Sequence, residues 1–294
     1  MQRWKFPRDR SHIPVLMVHS IHLERRHHHN KPRKENGTMF QILLTPSAGK
    51  RLIAKAILEH KAIQEALHSK TIVIVAGTTN GYVAEELLKS IGQEKGFDRK
   101  QFFRGITLPP SFKATEAGRL PDESSFPGDV VIVNGTWQKG KTLFDCVDTL
   151  QKGDIIIKGA NCIDSNRKRA GILIGHPRGG TIAAAMQAVV GRRVKLIIPV
   201  GLEKRVTEDI DTIANLLNSP DSTGPRMFPV SGEILTEIEA IELLFGLKAT
   251  LVAAGGVCGA EGSIWLAVEG DPHKLTHAKR LLEEIGQEEQ FQIA

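Results

Sequence analysis

One segment, residues 70–88, constrains the fold more than any other. The apolar run 72–76 leads through the small residues 77–81 into a stretch whose apolar residues have helical spacing. A short continuous apolar run next to small residues is typical of a strand buried on both faces. A strand that passes through a Gly/Thr loop into a helix directs free N–H groups and the positive end of the helix dipole to one point. The segment therefore predicts a buried strand followed by an anion site, such as one for a phosphate.

The same order of elements recurs along the chain. Apolar runs predict strands at 102–108, 129–133, 154–158, 172–174 and 194–200, and helical spacing predicts helices at 46–68, 81–90, 141–150, 181–190 and 207–217. Thr45 or Ser47 is suited to cap the first of these helices. Strands that alternate with helices are typical of crossover connections and parallel pairing. We therefore expect an α/β fold with a mostly parallel, Rossmann-like sheet and helices on both of its faces.

The pattern changes after the Pro/Ser/Gly-rich segment 219–225. A helix is predicted at 233–245, two strands at 248–254 and 263–268 around a Gly-rich loop, and a closing helix at 271–285. Asp271 is placed to cap that helix, with Pro272 at its first position. This order predicts a small α+β subdomain at 226–290, beside an α/β ligand-binding domain at 39–220.

The first 38 residues differ from the rest. They hold nine Lys or Arg against three Asp or Glu, which accounts for the net charge of +6 of the whole chain, and they hold six of the eleven histidines. We consider three interpretations: a wrongly assigned start with Met39 as the true first residue, a disordered basic leader, and a metal- or nucleic-acid-binding arm. The remainder is electrically neutral, so we expect no nucleic-acid partner other than through residues 1–38.

Composition narrows the location and the chemistry. No apolar stretch reaches the roughly 20 residues that cross a bilayer, and no secretory signal is evident. The three cysteines are widely separated and fit no metal-binding spacing. We expect a cytoplasmic protein with no bound metal, no cofactor and no membrane partner.

Small and polar residues follow four of the predicted strands. In a parallel sheet the ligand lies outside the carboxyl ends of the strands, so we expect these loops to share one edge. The candidate ligand- or phosphate-binding residues are Gly77, Thr78, Thr79, Asn80, Gly135, Thr136, Gly159, Asn161, Arg178, Gly179, Gly180 and Thr181. The alternative is that these positions form tight turns in which only small residues fit.

Four side chains are candidates for catalysis. Asp164 and Glu203 follow strand ends and are suited to move a proton next to a carbonyl group. Lys158 ends an apolar strand, where its charge is costly without a partner, and is suited to hold an oxyanion. His176 precedes a glycine pair and is a candidate proton-transfer group. Lys204 is a weaker candidate beside Glu203. The alternative assigns all five to turns, the sheet rim and the surface.

Two motifs resemble a known superfamily. The sequence Ala-Gly-Thr-Thr-Asn at 76–80, and the strand with Gly-Ala-Asn at 154–164, are similar to ribose-5-phosphate isomerase A, glucosamine-6-phosphate deaminase, coenzyme A transferases and the sensor domains of DeoR-type regulators. The resemblance covers roughly residues 46–206. It implies that Gly77, Thr78, Thr79 and Asn80 form the phosphate loop, and that Gly159, Ala160 and Asn161 correspond to the isomerase's Gly-Ala-Asp.

The departures from that superfamily leave the activity open. Asn161 stands where the isomerase has Asp, Arg178 to Thr181 only approximate its Lys-Gly-Gly-Gly, and the deaminase's Asp–His set has no counterpart that we can place. The resemblance implies a protein that binds a sugar-phosphate-like molecule, with isomerase-like or deaminase-like chemistry and possible self-association. The alternative is a ligand sensor or interaction protein without turnover.

Overall fold

The computed structural model describes residues 38–103, 107–108, 111 and 126–292. These residues contain seven α-helices and twelve strands. The helices are α1 (Pro46–Glu59), α2 (Lys61–Ala66), α3 (Thr78–Ser90), α4 (Gly180–Arg192), α5 (Ile210–Leu217), α6 (Glu237–Phe245) and α7 (Pro272–Ile285). The strands are β1 (Met39–Leu44), β2 (Thr71–Ile74), β3 (Val130–Val133), β4 (Thr136–Trp137), β5 (Ile155–Ile157), β6 (Cys162–Asp164), β7 (Arg169–Ile174), β8 (Lys195–Pro199), β9 (Arg226–Val230), β10 (Glu233–Leu235), β11 (Lys248–Ala254) and β12 (Ile264–Glu269).

The main sheet has six strands in the order β10-β8-β5-β2-β3-β4. The four strands from β10 to β2 pair in parallel, whereas β3 and β4 are antiparallel to their neighbours. The predicted mixed α/β class with a mostly parallel sheet is therefore confirmed.

Both faces of this sheet are covered. Ile72 and Ile74 of β2 pack into one apolar core with residues of α1, α3 and α6, while Val73 and Val75 pack into a second core with residues of α4. Alternate side chains of a strand point to opposite faces. Burial on both faces is the reason that the strands read as continuous apolar runs.

Two small antiparallel sheets flank the main one, β1-β12-β11 and β6-β7-β9. The predicted strands at 248–254 and 263–268 are confirmed as β11 and β12, and α7 begins at Pro272 with Asp271 accepting two backbone N–H groups. Strand β1 was not predicted, and it pairs along its whole length with β12. Strand β10 joins the main sheet beside β8. The predicted division into two domains stays a prediction.

Two helix predictions need correction. Residues 141–150 form two short 3₁₀ turns, Leu143–Asp145 and Val147–Thr149, rather than a helix, because Asp145 accepts hydrogen bonds from the backbone and hydroxyl of Thr142. Such local bonds compete with helix formation. The helix predicted from residue 233 begins only at Glu237, where Thr236 and Glu239 form a capping box. The predicted strand at 102–108 lies partly outside the described residues, and its described part is not a strand.

The prediction that four loops share one edge is wrong for residues 134–136. Strand β3 runs antiparallel to β2, so the residues after β3 lie at the opposite edge of the sheet. Asn134 and Gly135 both have positive φ angles, of 48° and 77°, and join β3 to β4 as a two-residue hairpin loop. Asn-Gly is the strongest short-range hairpin signal. Gly135 and Thr136 therefore belong to a hairpin turn, far from the carboxyl ends of β2 and β5.

Within the described parts of the chain, no helix combines the length and the apolar character needed to cross a bilayer.

Gly128 fixes the entry into β3. Its φ is +87°, and a Cβ at this position would lie 2.7 Å from the backbone oxygen of Lys141. Gly140 has a similar φ of +79°, but a Cβ built on Gly140 would meet no atom within 4 Å. We expect Gly128→Ala to lower the free energy of unfolding by about 2–4 kcal/mol and Gly140→Ala by only about 1 kcal/mol, measured by urea denaturation. The difference between the two variants measures the steric clash with Lys141, because both share the cost of the positive φ. Equal losses of unfolding free energy would show that no such clash exists.

Candidate functional site

The main sheet changes direction between β2 and β5. The chain leaves β2 towards β3 on one side, and it leaves β5 towards β8 on the other side. The segments that follow β2 and β5 therefore diverge at the carboxyl edge, and we call the position between them the crevice. Open α/β sheets place their ligand sites at such a switch point.

The N-terminus of α3 lies at this crevice. Gly77 precedes the helix and offers no capping side chain, and the first intrahelical bond runs from the Gly81 amide to the Gly77 carbonyl. The amides of residues 78–80 therefore have no acceptor within the helix. A Cβ built on Gly77 would meet no atom within 4 Å. Helix α3 was predicted from residue 81; it begins three residues earlier, so the predicted phosphate loop forms its first turn.

Asn80 joins the two strands at the point where they separate. Its side-chain nitrogen donates to the carbonyl oxygens of Val75, at 2.6 Å, and Ile157, at 3.0 Å. These two bonds fix the orientation of the amide. The side-chain oxygen is fully buried without a hydrogen-bond partner, and it lies 4.0 Å from a Cβ built on Gly159. The buried hydroxyl of Thr79 also lacks a partner. A buried acceptor without a partner is costly and calls for an explanation, such as a bound water molecule or a ligand.

Lys158 follows β5 directly at the same edge. The burial of its ammonium group lowers the pKa to about 8, against a partial opposing effect of the Asp129 carboxylate. The two oxygens of Asp129 accept from the backbone amides of Ala76, at 2.9 Å, and Leu143, at 2.7 Å. Among the described residues, the Lys158 side chain makes no hydrogen bond or ion pair of its own. The centre of the edge therefore holds one cation, Lys158, and one buried carboxylate, Asp129.

A second charged group lies further along this edge, after β8 and β10. Its members are Lys50, Glu203, Lys204 and Glu237. The Lys50 ammonium lies 3.1 Å from Glu203 Oε1, and the Lys204 ammonium donates to the Ala160 carbonyl at 3.0 Å. Glu237 Oε2 accepts from the Leu202 amide at 2.9 Å. The positive charges of Lys204 and Lys158 act on each other, which links the two groups.

Glu237 is the most strongly perturbed carboxyl group at the edge. Its burial, reinforced by the negative charge of Glu203, raises its pKa to about 7. Burial also lowers the pKa of Lys204. Gly49 on α1 makes room for the carboxyl group, since a Cβ there would lie 2.3 Å from Glu237 Oε1. A carboxyl group that changes protonation near neutral pH, beside an ionised one, is the arrangement suited to proton transfer.

The structure brings together part of the predicted set. Residues Gly77, Thr78, Thr79 and Asn80 of the predicted loop, with Lys158, Gly159 and Glu203, all lie at the carboxyl edge of the parallel strands. The N-terminus of α4, with Gly179, Gly180 and Thr181, lies towards the same edge, because α4 runs back to the start of β8. It packs on the opposite face from α3.

Other predicted residues have local partners instead. Asp164 ends β6 and accepts from the amides of Asn166 and Arg167 and from the Arg167 guanidinium, which lowers its pKa. The Asn161 side-chain oxygen accepts from the Leu173 amide at 3.0 Å. Both residues thus support the β6–β7 hairpin.

His176 and Arg178 lie in the loop after β7. The His176 Nδ1 accepts from the backbone amide of Arg178 at 3.2 Å, and Arg178 is exposed. Strand β7 belongs to a different sheet from β5 and β8, so the loop does not continue a strand of the main sheet.

Three residues of the site were missed from the sequence: Lys50, Asp129 and Glu237. Lys50 and Glu237 occur inside patterns that indicate helices, and nothing local marks them as buried. Asp129 did carry a signal, since a carboxylate directly before a run of four apolar residues must find donors.

The described residues contain no group of three or more His, Cys, Asp or Glu placed to hold a metal ion. In comparisons with known proteins, no protein-family model and no curated protein matches this chain.

Glu237→Gln tests the perturbed carboxyl. Glutamine keeps an acceptor for the Leu202 amide but never ionises. Because the pKa of Glu237 is higher in the folded than in the unfolded chain, the free energy of unfolding falls as the pH rises from 4.5 to about 7 and then levels off. We expect the variant to be more stable than the parent by about 1–3 kcal/mol at pH 8, with the difference vanishing below about pH 4.5.

The control is Glu242→Gln, an exposed position on the same helix. Urea denaturation at pH 4, 6 and 8 measures both variants. A Glu237→Gln variant that is less stable than the parent at pH 8 would contradict the assignment.

Proposed function

We propose that the crevice between β2 and β5 binds a phosphorylated small molecule of the sugar-phosphate class. One observation carries the proposal: the switch point of the sheet combines the open N-terminus of α3, a buried acceptor on Asn80 without a partner, and the Lys158 ammonium. The proposal includes a Rossmann-like arrangement of the sheet, in which the ligand binds at the switch point between β2 and β5.

The charges favour an anion. The amides of residues 78–80 and the dipole of α3 attract negative charge, and Lys158 adds a full positive charge without a carboxylate at hydrogen-bond distance among the described residues. A phosphate dianion would satisfy both. The open space around Gly77 lets an anion approach the backbone closely.

The buried acceptor favours a polyhydroxylated ligand. The side-chain oxygen of Asn80 repels a phosphate but accepts a hydrogen bond from a hydroxyl group, and because it is fully buried its surroundings would have to move to admit that group. The Thr79 hydroxyl can accept or donate. A ligand with a phosphate at one end and hydroxyl groups along its length therefore suits this crevice better than inorganic phosphate alone.

The cluster of Lys50, Glu203, Lys204 and Glu237 supports turnover as part of the same proposal. Glu203 would take a proton next to the ligand's carbonyl group, while lysine charge would hold the developing oxyanion. This is the step that isomerase-like and deaminase-like reactions share.

The second candidate function is a ligand sensor without catalysis. It is favoured by the structural roles of Asp164 and Asn161, whose side chains serve the β6–β7 hairpin. Both functions require the same ligand site. A cytoplasmic location is proposed with either, supported by three cysteines outside any disulfide.

A thermal-shift measurement on the full chain tests the ligand class. Ribose 5-phosphate and glucosamine 6-phosphate are compared with ribose and glucosamine at equal concentration. A ligand at 100 times its dissociation constant contributes about 2.7 kcal/mol, which raises the melting temperature by roughly 5–10 °C for a chain of this size. We expect this shift only with the phosphorylated compounds.

Gly77→Val supplies the matched variant. Gly77 has an extended φ of 171° and open space around its Cβ position, so valine fits the fold but fills the crevice. Gly191→Val, near the end of α4 and also in open space, is the control. Loss of the shift in Gly77→Val alone supports the site. No shift with any phosphorylated compound in the parent protein overturns it.

A further inference from the structure

Lys158 differs from the other lysines at the carboxyl edge in lacking a direct partner. Lys50 binds Glu203, and Lys204 donates to a backbone carbonyl. Lys158 has neither kind of contact among the described residues, and the Asp129 carboxylate near it already accepts from two backbone amides. A second cation, Lys204, acts on it from the β8 side.

This environment increases the fraction of Lys158 that is present as the neutral amine. Removing a lysine from water and placing it beside another cation both disfavour the ammonium form, and these are the two ways in which proteins activate lysine as a nucleophile. A lysine with a pKa of about 8 is an uncharged amine in about a tenth of the molecules at pH 7. The fraction is about 300 times smaller at the ordinary lysine pKa of 10.5.

We propose that Lys158 is a nucleophile that forms an imine with the carbonyl carbon of a phosphorylated aldehyde or ketone. The proposal rests on the proposed function, because the N-terminus of α3 would hold the phosphate group while the carbonyl end reaches Lys158. It assigns the substrate class more narrowly than that function does, to phosphorylated compounds with a free carbonyl group.

The chemistry balances without an oxidant or reductant. The Lys158 nitrogen attacks the carbonyl carbon, and a carbon–nitrogen bond forms while the carbonyl π bond opens. The two N–H protons move to the oxygen, which leaves as water, and the carbon–nitrogen double bond closes. A base is needed to take the first proton, and Asp129 is the carboxylate whose charge acts on Lys158.

Reductive trapping tests the assignment on the full-length parent protein. The chain is incubated with glyceraldehyde 3-phosphate and sodium cyanoborohydride, which reduces an imine to a stable secondary amine. Peptide mass spectrometry then gives the rate of labelling at each lysine. We expect Lys158 to be labelled at least about ten times faster than Lys70, an exposed lysine at the opposite edge of the main sheet.

The phosphate end is tested by the same assay with unphosphorylated glyceraldehyde. We expect labelling of Lys158 to fall at least about tenfold while labelling of Lys70 is unchanged. Lys158→Arg removes the amine nucleophile, so this variant should lose the fast label at position 158. Lys70→Arg, the matched control, should leave the fast label on Lys158 unchanged.

The outcomes separate this proposal from the proposed function. A thermal shift with sugar phosphates but no preferred label on Lys158 overturns the imine and leaves the anion site. If no phosphorylated compound shifts the melting temperature, labelling with unphosphorylated glyceraldehyde shows whether Lys158 is a nucleophile. Preference for Lys158 then supports the nucleophile without the phosphate site, and uniform labelling of the lysines overturns both.

Discussion

The parallel pairing of β2 with β5 is the constraint on which the rest of the structure depends. Both strands are buried on both faces, and their one polar side chain is that of Thr71 at the start of β2. Polar groups can therefore appear only where the strands end, and the chain leaves these two ends in opposite directions. The Asn80 amide donates to the carbonyl groups of Val75, just after β2, and Ile157, at the end of β5, and so ties the two strand ends together.

The charged groups at this edge oppose stability rather than support it. Buried carboxylates and ammonium groups lose hydration, and a buried ion pair seldom recovers that loss in full. Lys158, Lys204 and Glu237 all show pKa values displaced towards their neutral forms by burial. The apolar cores on the two faces of the sheet offset this cost, and the displaced pKa values leave both an amine and a carboxyl group able to exchange protons near neutral pH.

Much of the architecture could be predicted from the sequence. The spacing of apolar residues indicates which faces are buried, and Gly- or Pro-rich segments indicate where the chain turns. The runs that became β2, β5 and β8 are apolar throughout because both of their faces are covered. The apolar spacing did not predict the elements whose secondary structure depends on contacts with distant residues. Strand β1 acquires its partner from β12, more than 200 residues away, and residues 141–150 lose their helix to the bonds of Asp129 and Asp145. Nothing in the composition of β3 predicts its direction. The Asn-Gly sequence that follows it is a hairpin signal that our prediction did not use.

The residues of the candidate site also fall into those that the sequence could reveal and those that it could not. Gly77 to Asn80 and Lys158 could be found because they follow apolar strands directly. Lys50 and Glu237 could not, since each belongs to a helix whose N-terminus meets the edge only after the helices have packed. Asp164 and Asn161 have residue types typical of a site, but hairpin bonds satisfy them, which no spacing along the chain reveals.

If the proposed site exists, the first turn of α3 and the end of β5 hold one ligand between them. We would titrate the ¹⁵N-labelled chain with ribose 5-phosphate and follow the backbone amide chemical shifts. We expect saturable shifts, with one dissociation constant, at Thr79, Asn80 and Gly159. Shifts confined to Gly180 and Thr181 at the start of α4, or no saturable shift at any of the five residues, would contradict it.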